Sequence, residues 1–301
     1  MLNFYVGEKK LFGVTTPGLI LEAHYGRLGT DLLHPKPPFE RLNQDVGVIV
    51  TRSHPVKENL PLVTRMTEAL RYVPLHYHRY HVDLRLNIDT YKQKFSAKSR
   101  STLQRKIRKF TEHAGGVLDW QVYRSVSEMQ DFYHLARAIS AKTYQERLLD
   151  AGLPDSAEFQ KQLGEWASTG QVRGYLLRCR DQPVAYILCP VRDGVVYYEF
   201  VGYDSALQAL SPGTVLQYLA LESLFDEQQF DIFDFTEGEG QHKAFFATHS
   251  TQCADVYYFR PDTRAWGLVL GHAALNWLTR FVVAGIDRLG MKARIKKLLR
   301  H

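Results

Sequence analysis

Cysteine is scarce in this chain of 301 residues. Cys179, Cys189 and Cys253 lie in apolar runs, and none belongs to a C-x-x-C or Cys/His group. Neither a disulfide framework nor a zinc site is indicated, and a reducing cytoplasm is the natural setting. Long hydrophobic runs are missing as well. No stretch of about 18 uncharged apolar residues occurs, and Glu8, Lys9 and Lys10 fall where a signal peptide needs its apolar core. The chain therefore reads as neither secreted nor membrane-spanning. No internal repeat stands out, and with 45% apolar and 23% charged residues the composition excludes disorder and fibrous architectures. The length suits roughly two domains of ~150 residues.

Acidic residues are absent from one stretch in particular. Between Lys92 and Lys109 stand Lys92, Lys94, Lys98, Arg100, Arg105, Lys106, Arg108 and Lys109 without a single Asp or Glu, which exceeds the net charge of +6 of the whole chain. A focused excess of this kind suits phosphate, whereas an even spread would mean little. A second basic cluster, Arg288, Lys292, Arg294, Lys296, Lys297 and Arg300, ends the sequence.

Residues 1–90 mix short apolar runs with loop signals such as His34-Pro35-Lys36-Pro37-Pro38, and a helix is expected near Val56–Tyr72. This region reads as a small α/β unit, open to being a degenerate copy of the region after it. From Ser96, a plausible N-cap, a basic helix carries Leu103, Ile107 and Phe110 on one face. The order that follows is β-α-α-β-β-β-α-β-α-β, with strands at 117–123, 172–180, 183–191, 195–203, 230–235 and 254–260. This order predicts a mixed α/β (α+β) sheet with helices on both faces over 91–261. Residues 262–301 read as amphipathic basic helices interrupted at Gly285 and Gly290.

The strongest local signal is Ser211-Pro212-Gly213-Thr214 at a strand-loop-helix junction. There Ser can cap, Pro fits the first helical position, and Gly lets a ligand approach free backbone N–H groups. An ordinary capped helix explains the same four residues. Glu199, alone among Tyr197, Tyr198, Phe200 and Val201, reads either as a buried base of raised pKa or as a salt-bridged carboxylate at an edge. His242 offers a second base, with an unperturbed pKa of ~6.5, and equally a packing residue. Asp234 ends an apolar strand, either to orient an acceptor amine or Lys243, or to cap the following turn.

Taken in order, Ser96-Ala97-Lys98-Ser99-Arg100, Gly202-Tyr203-Asp204, Ser211-Pro212-Gly213, Asp234-Phe235, Gly238 and His242-Lys243 resemble the GNAT superfamily of acyl-CoA-dependent N-acyltransferases. The resemblance is to the CelD-like branch of cellulose biosynthesis and, more distantly, to FemAB aminoacyltransferases. It covers about Leu86 to Arg260, and departs from the pattern at His242, where relatives usually have Tyr.

The resemblance implies a GNAT fold and an acyl-CoA co-substrate, acetyl or longer, with no metal. Its pyrophosphate would sit on the helix opening at Gly213, among Tyr203, Ser211, Pro212 and Thr214. Its pantetheine would run between the strands ending at Tyr203 and Phe235. An amine or amino-sugar acceptor, in exopolysaccharide or envelope synthesis, would be served by Glu199, Asp234, His242 and Lys243. Lys243 takes a phosphate or oxyanion role only through the resemblance. Lys98, Arg100 and Arg105 would meet phosphate on a ligand, or else form a solvated face.

Two other readings stand open. One is a FemAB-like enzyme drawing on aminoacyl-tRNA, the only form in which nucleic acid enters. The other is a non-catalytic scaffold of a polysaccharide-synthesis complex. The C-terminal helices suit either packing or contact with the inner membrane face from the cytoplasm.

Overall fold

The computed structural model describes residues 2–6, 9–14, 16–26, 29–42, 46–143 and 152–288. Backbone contacts divide the chain into two units, 1–77 with 251–301, and 78–250. These boundaries differ from those expected at 90 and 261. Two long strands account for the difference, because each passes from one unit into the other partway along its length.

In chain order the first strands are β1 (Leu2–Val6), β2 (Lys9–Val14), β3 (Gly18–Glu22), β4 (His24–Tyr25), β5 (Leu32–Leu33), β6 (Val48–Pro55), β7 (Val63–Arg65) and β8 (Leu70–Asp83). The helix expected near Val56–Tyr72 is a correction: β7 pairs antiparallel with β8, turning where Met66 N–H donates to Ala69 O at 2.9 Å. β-Branched Val63 and Thr64 favour that outcome, and burial alternates along much of β8.

The second unit begins within β8 and continues with α1 (Ile88–Gln93), α2 (Ala97–His113), β9 (Trp120–Tyr123), α3 (Val126–Ser140), α4 (Ala157–Ser168), β10 (Val172–Cys179) and β11 (Gln182–Arg192). Then come β12 (Val195–Tyr197), β13 (Phe200–Tyr203), α5 (Pro212–Glu227), β14 (Ile232–Asp234) and α6 (Gln241–Phe246). Ser96 caps α2 as expected, its Oγ accepting from Ser99 N–H at 3.1 Å. The strand expected at 195–203 is broken into β12 and β13. α3 ends at Ser140 in a turn over 141–143, and 144–151 lie outside the described residues.

Strand order in this unit is β8-β14-β12-β11-β10-β9, with β13 also paired to β11. The β12–β14 ladder is parallel and the other ladders are antiparallel, so the sheet is mixed. Alternate residues feed two cores. Tyr175, Leu177, Ile187 and Cys189 join Tyr91, Phe110, Leu216 and Leu219 from α1, α2 and α5. Leu176, Tyr186 and Leu188 join Met129, Phe132, Phe159 and Leu163 from α3 and α4. Helices thus cover both faces of a mixed α/β sheet, the architecture of the GNAT fold.

In the first unit, β15 (His249–Phe259) pairs with β6, and α7 (Thr263–Arg288) buries Ala265 and Val269 beside Val48, Val50 and Tyr72. Tyr72 Oη and His272 Nδ1 lie 2.6 Å apart. Contrary to expectation, α7 runs unbroken through Gly285. Gly290 lies outside the described residues. No described helix is long and apolar enough to cross a membrane.

Candidate active site

The site begins with one extra residue. β11 faces β12 through Val191↔Val196 and β13 through Leu188↔Phe200, so three residues on one strand oppose two on the other. This is a β-bulge. Before it, β12 pairs with β14, and Tyr198 N–H donates to Asp234 O at 2.9 Å. Beyond it β13 follows β11, while Phe235 N–H turns to Tyr80 O at 3.0 Å. The two strands part.

Asp204 N–H donates to Val184 O on β11. By antiparallel alternation, Gly202 and Phe200 face the same way, so the backbone groups of Val201 and Tyr203 face the gap. Among the described residues no strand pairs with that edge.

A cavity of about 410 Å³ occupies the gap. Tyr198, Val201, Gly202 and Tyr203 line it from the strand, Ser211 to Thr214 and Gln217 from α5, and His242 and Phe246 from α6. Gly202 is required there, because a Cβ would stand 2.5 Å from the ring of Tyr186.

The start of α5 differs from the expected cap. Ser211 is left-handed at φ 56°, and its hydroxyl makes no capping bond. Thr214 and Val215 N–H both donate to Ser211 O, and Pro212 has no N–H, so Gly213 supplies the remaining donor of the first turn. Lys106 Nζ lies 3.5 Å from Thr214 Oγ1, and Lys109 Nζ donates to Ala209 O at 3.2 Å. Two cations of α2 thus flank that donor.

Both cations belong to the basic stretch expected to suit phosphate, but the residues named for that contact, Lys98, Arg100 and Arg105, lie elsewhere. Leu103 and Phe110 are buried on α2, and half-buried Lys106 borders that seam. Arg105 lies about 160° around the helix from Leu103 and faces solvent, as does Lys98. Arg100 Nη1 donates to Phe95 O at 2.5 Å. The structure does not bring Lys98, Arg100 or Arg105 to the cavity.

The expected chemical residues separate into three places. His242 lines the cavity, its ring 6.3 Å from that of Tyr198, and burial with the charge of Lys243 lowers its pKa below 6.5. Burial raises the pKa of the Tyr198 phenol, so it keeps its proton at neutral pH.

Of the two readings open for Glu199, the structure shows the salt-bridged carboxylate, at a point where the bulge breaks the strand alternation. It is solvent-exposed, with Oε2 3.8 Å from Arg192 Nη2. Asp234 is fully buried, but it does not cap the turn alone: Arg79 Nε donates to both its oxygens, at 3.2 and 3.0 Å, and Arg79 Nη2 to Oδ2. Thr236 N–H adds a bond to Oδ1 at 2.9 Å. Lys243 Nζ donates to Glu237 O at 2.6 Å, and burial lowers its pKa. Neither Asp234 nor Lys243 lines the cavity.

Tyr198 and Gln217 are therefore the cavity residues that the sequence did not point to, whereas Lys106 and Lys109 belong to the basic stretch expected to suit phosphate. Lys106 stands beside the helical seam, about 60° around from Leu103, but nothing in the spacing singles out Lys109. Nothing in the sequence marks Gln217, which is 2% exposed in an otherwise apolar stretch of α5. Among the described residues no cluster of His, Cys, Asp and Glu is placed to hold a metal ion.

Residues 97–244 match the family model described as an acetyltransferase (GNAT) domain. The matched segment runs from the first turn of α2 into α6, and so contains the bulge, the α5 junction and the cavity lining up to His242. No curated protein sequence matches the chain. Solved structures that resemble it include a C-terminal DUF2156 domain from Agrobacterium fabrum, at 12% identity over 67% of this chain and 66% of that one, TM-score 0.46. Others are L-PGS of Bacillus licheniformis (13% identity, 76% and 73% covered, TM-score 0.47) and FemX (12%, 64% and 63%, TM-score 0.41). The match thus spans slightly less than two thirds of the DUF2156 and FemX chains.

Proposed function

We propose that this protein is an N-acyltransferase that moves an acyl group from acyl-CoA to an amine or amino-sugar acceptor. The observation that carries the reading is the cavity itself, with an open strand edge on one side and an uncapped helix start flanked by two lysines on another. That donor set suits a ligand with phosphate at one end and an amide-bearing arm. Gly213 N–H, Lys106 and Lys109 would hold the phosphates. The backbone groups of Val201 and Tyr203 would pair with the arm as a strand would.

Acyl-CoA supplies a thioester, at whose carbonyl carbon the acceptor nitrogen bonds as the carbon–sulfur bond breaks. His242 is neutral near pH 7 and takes the proton that the amine loses. Tyr198 Oη carries a proton to give to developing negative charge. Glu199 remains as a second base at the outer end of the bulge. Asp234 and Lys243 act from behind, by fixing the turn at Thr236 and Glu237 that leads into α6, the helix that carries His242.

The CelD-like motifs support an acceptor from exopolysaccharide or envelope synthesis at the cytoplasmic side of the membrane. Exposed Leu270, Trp277 and Leu278 on α7, followed in sequence by the basic C-terminal cluster, support peripheral contact there.

Thermal shift tests the donor. CoA and acetyl-CoA should raise the melting temperature, and at 100 times Kd the stabilisation is about 2.7 kcal/mol. Gly213→Val should abolish that shift while keeping the fold. A Cβ at Gly213 meets only Tyr203 Cδ1 at 3.3 Å, on a ring that is 39% exposed, but the larger side chain intrudes on the N–H. No shift with any acyl-CoA, together with binding of aminoacyl-tRNA, would replace this reading with the FemAB-like one. Binding of no donor would favour the scaffold.

A further inference from the structure

Gln217 stands where a polar side chain is costly. Around it α5 buries Val215, Leu216, Tyr218, Leu219, Ala220 and Leu221, and Gln217 itself is 2% exposed. Neither Oε1 nor Nε2 has a hydrogen-bond partner among the described residues. A buried carboxamide with both ends unpaired destabilises the free fold, and an apolar residue of similar volume would not. Gln217 also lines the cavity, four residues after Gly213 and so on the same helical face.

We propose that Gln217 is a specificity-determining residue that recognises a secondary amide in the arm of the donor. This rests on the acyl-CoA reading above. A ligand whose phosphate sits at Gly213 passes Gln217 about 6 Å further along the helix, at 1.5 Å per residue. A secondary amide presents one N–H and one C=O, the complement of the carboxamide's acceptor and donor. An ester presents no N–H and leaves Oε1 unpaired. The carboxamide thus favours a pantetheine-type arm over an ester-linked donor, because the site penalises a ligand that leaves its buried groups unsatisfied.

The test is calorimetric binding of CoA and of adenosine 3′,5′-bisphosphate, which lacks the arm, to wild type, Gln217→Met and Gln217→Glu. Gln217→Met should weaken CoA roughly tenfold and leave the bisphosphate within about twofold of wild type. Its ligand-free melting temperature should equal or exceed that of wild type. Gln217→Glu keeps shape and acceptor but loses the donor, and should also weaken CoA selectively, which keeps the test available if the Met variant does not fold. Equal CoA affinity in the variants and wild type overturns the proposal, as does an equal loss of both ligands. If wild type binds neither compound, the donor reading itself fails. That result comes from wild type alone, whereas failure of the Gln217 assignment appears only in the variants.

Discussion

Replacing Asp234 by Asn asks whether this carboxylate supports the fold or takes part in the chemistry. Its side chain is 0% exposed and that of Arg79 is 9% exposed, so the pair lies almost wholly out of water. Arg79 grips both carboxylate oxygens, and Thr236 N–H holds one of them. Removing the charge strands a buried guanidinium, which costs about 3–5 kcal/mol. For a unit of the size of 78–250, where 1 kcal/mol corresponds to roughly 2–4 °C, the melting temperature should fall by roughly 6–20 °C. Arg79→Met should cost a similar amount. The double variant Arg79→Met/Asp234→Asn removes both charges together and should recover much of the loss, which gives a coupling energy of several kcal/mol in a double-mutant cycle. Denaturant melts of the four proteins, followed by tryptophan fluorescence and far-UV circular dichroism, measure it. A stable Asp234→Asn protein that binds donor but does not turn over would refute the reasoning and return Asp234 to the acceptor.

Charge reversal of Lys106 and Lys109 to Glu should weaken CoA at least tenfold and flatten the salt dependence of binding, whereas Arg105→Glu should leave both within about twofold; titration calorimetry at two ionic strengths decides. If His242 takes the proton, turnover should rise with pH through a group below 6.5, the direction in which burial and Lys243 move it. His242→Gln should remove that limb, and a limb lost in Glu199→Gln instead would move the role to the exposed carboxylate. His81 is 2% exposed, and burial, reinforced by the neighbouring His249, lowers its pKa to about 4. The folded state therefore binds fewer protons than the unfolded one between pH 4 and 6.5. The resulting stability, about 3 kcal/mol, is fully present above pH 6.5 and lost as pH falls towards 4. His81→Gln should flatten urea midpoints across that window.

Periodicity and element order carried most of the second unit. Leu103, Ile107 and Phe110 set the buried face of α2, and the order of strands and helices announced a mixed sheet covered on both sides. The first unit was harder, because Val56–Tyr72 contains apolar residues at spacings compatible with a helix. The pairing of β7 with β8 decides it, and such pairing is not local in sequence. Ser211-Pro212-Gly213 marked the junction correctly, although Ser211 adopts a left-handed turn instead of capping. Individual side chains were less legible. Asp234 looks the same in sequence whether it meets an acceptor or Arg79, which lies 155 residues away.

The inserted residue between Val196 and Phe200 explains why Glu199 stands apart from the cavity. In an unbroken strand, alternation would put Tyr197 and Glu199 on one face and Tyr198 and Phe200 on the other. The bulge resets that count, so Glu199 reaches solvent beside Arg192, while Tyr198 turns its ring towards His242. The same insertion lets β13 leave β14, which frees the backbone of Val201 and Tyr203 and opens the gap that the cavity fills. Closing the bulge would therefore pair away the strand edge that a donor needs. The solvent position of Glu199 and the open edge at 201–203 thus follow from the same inserted residue.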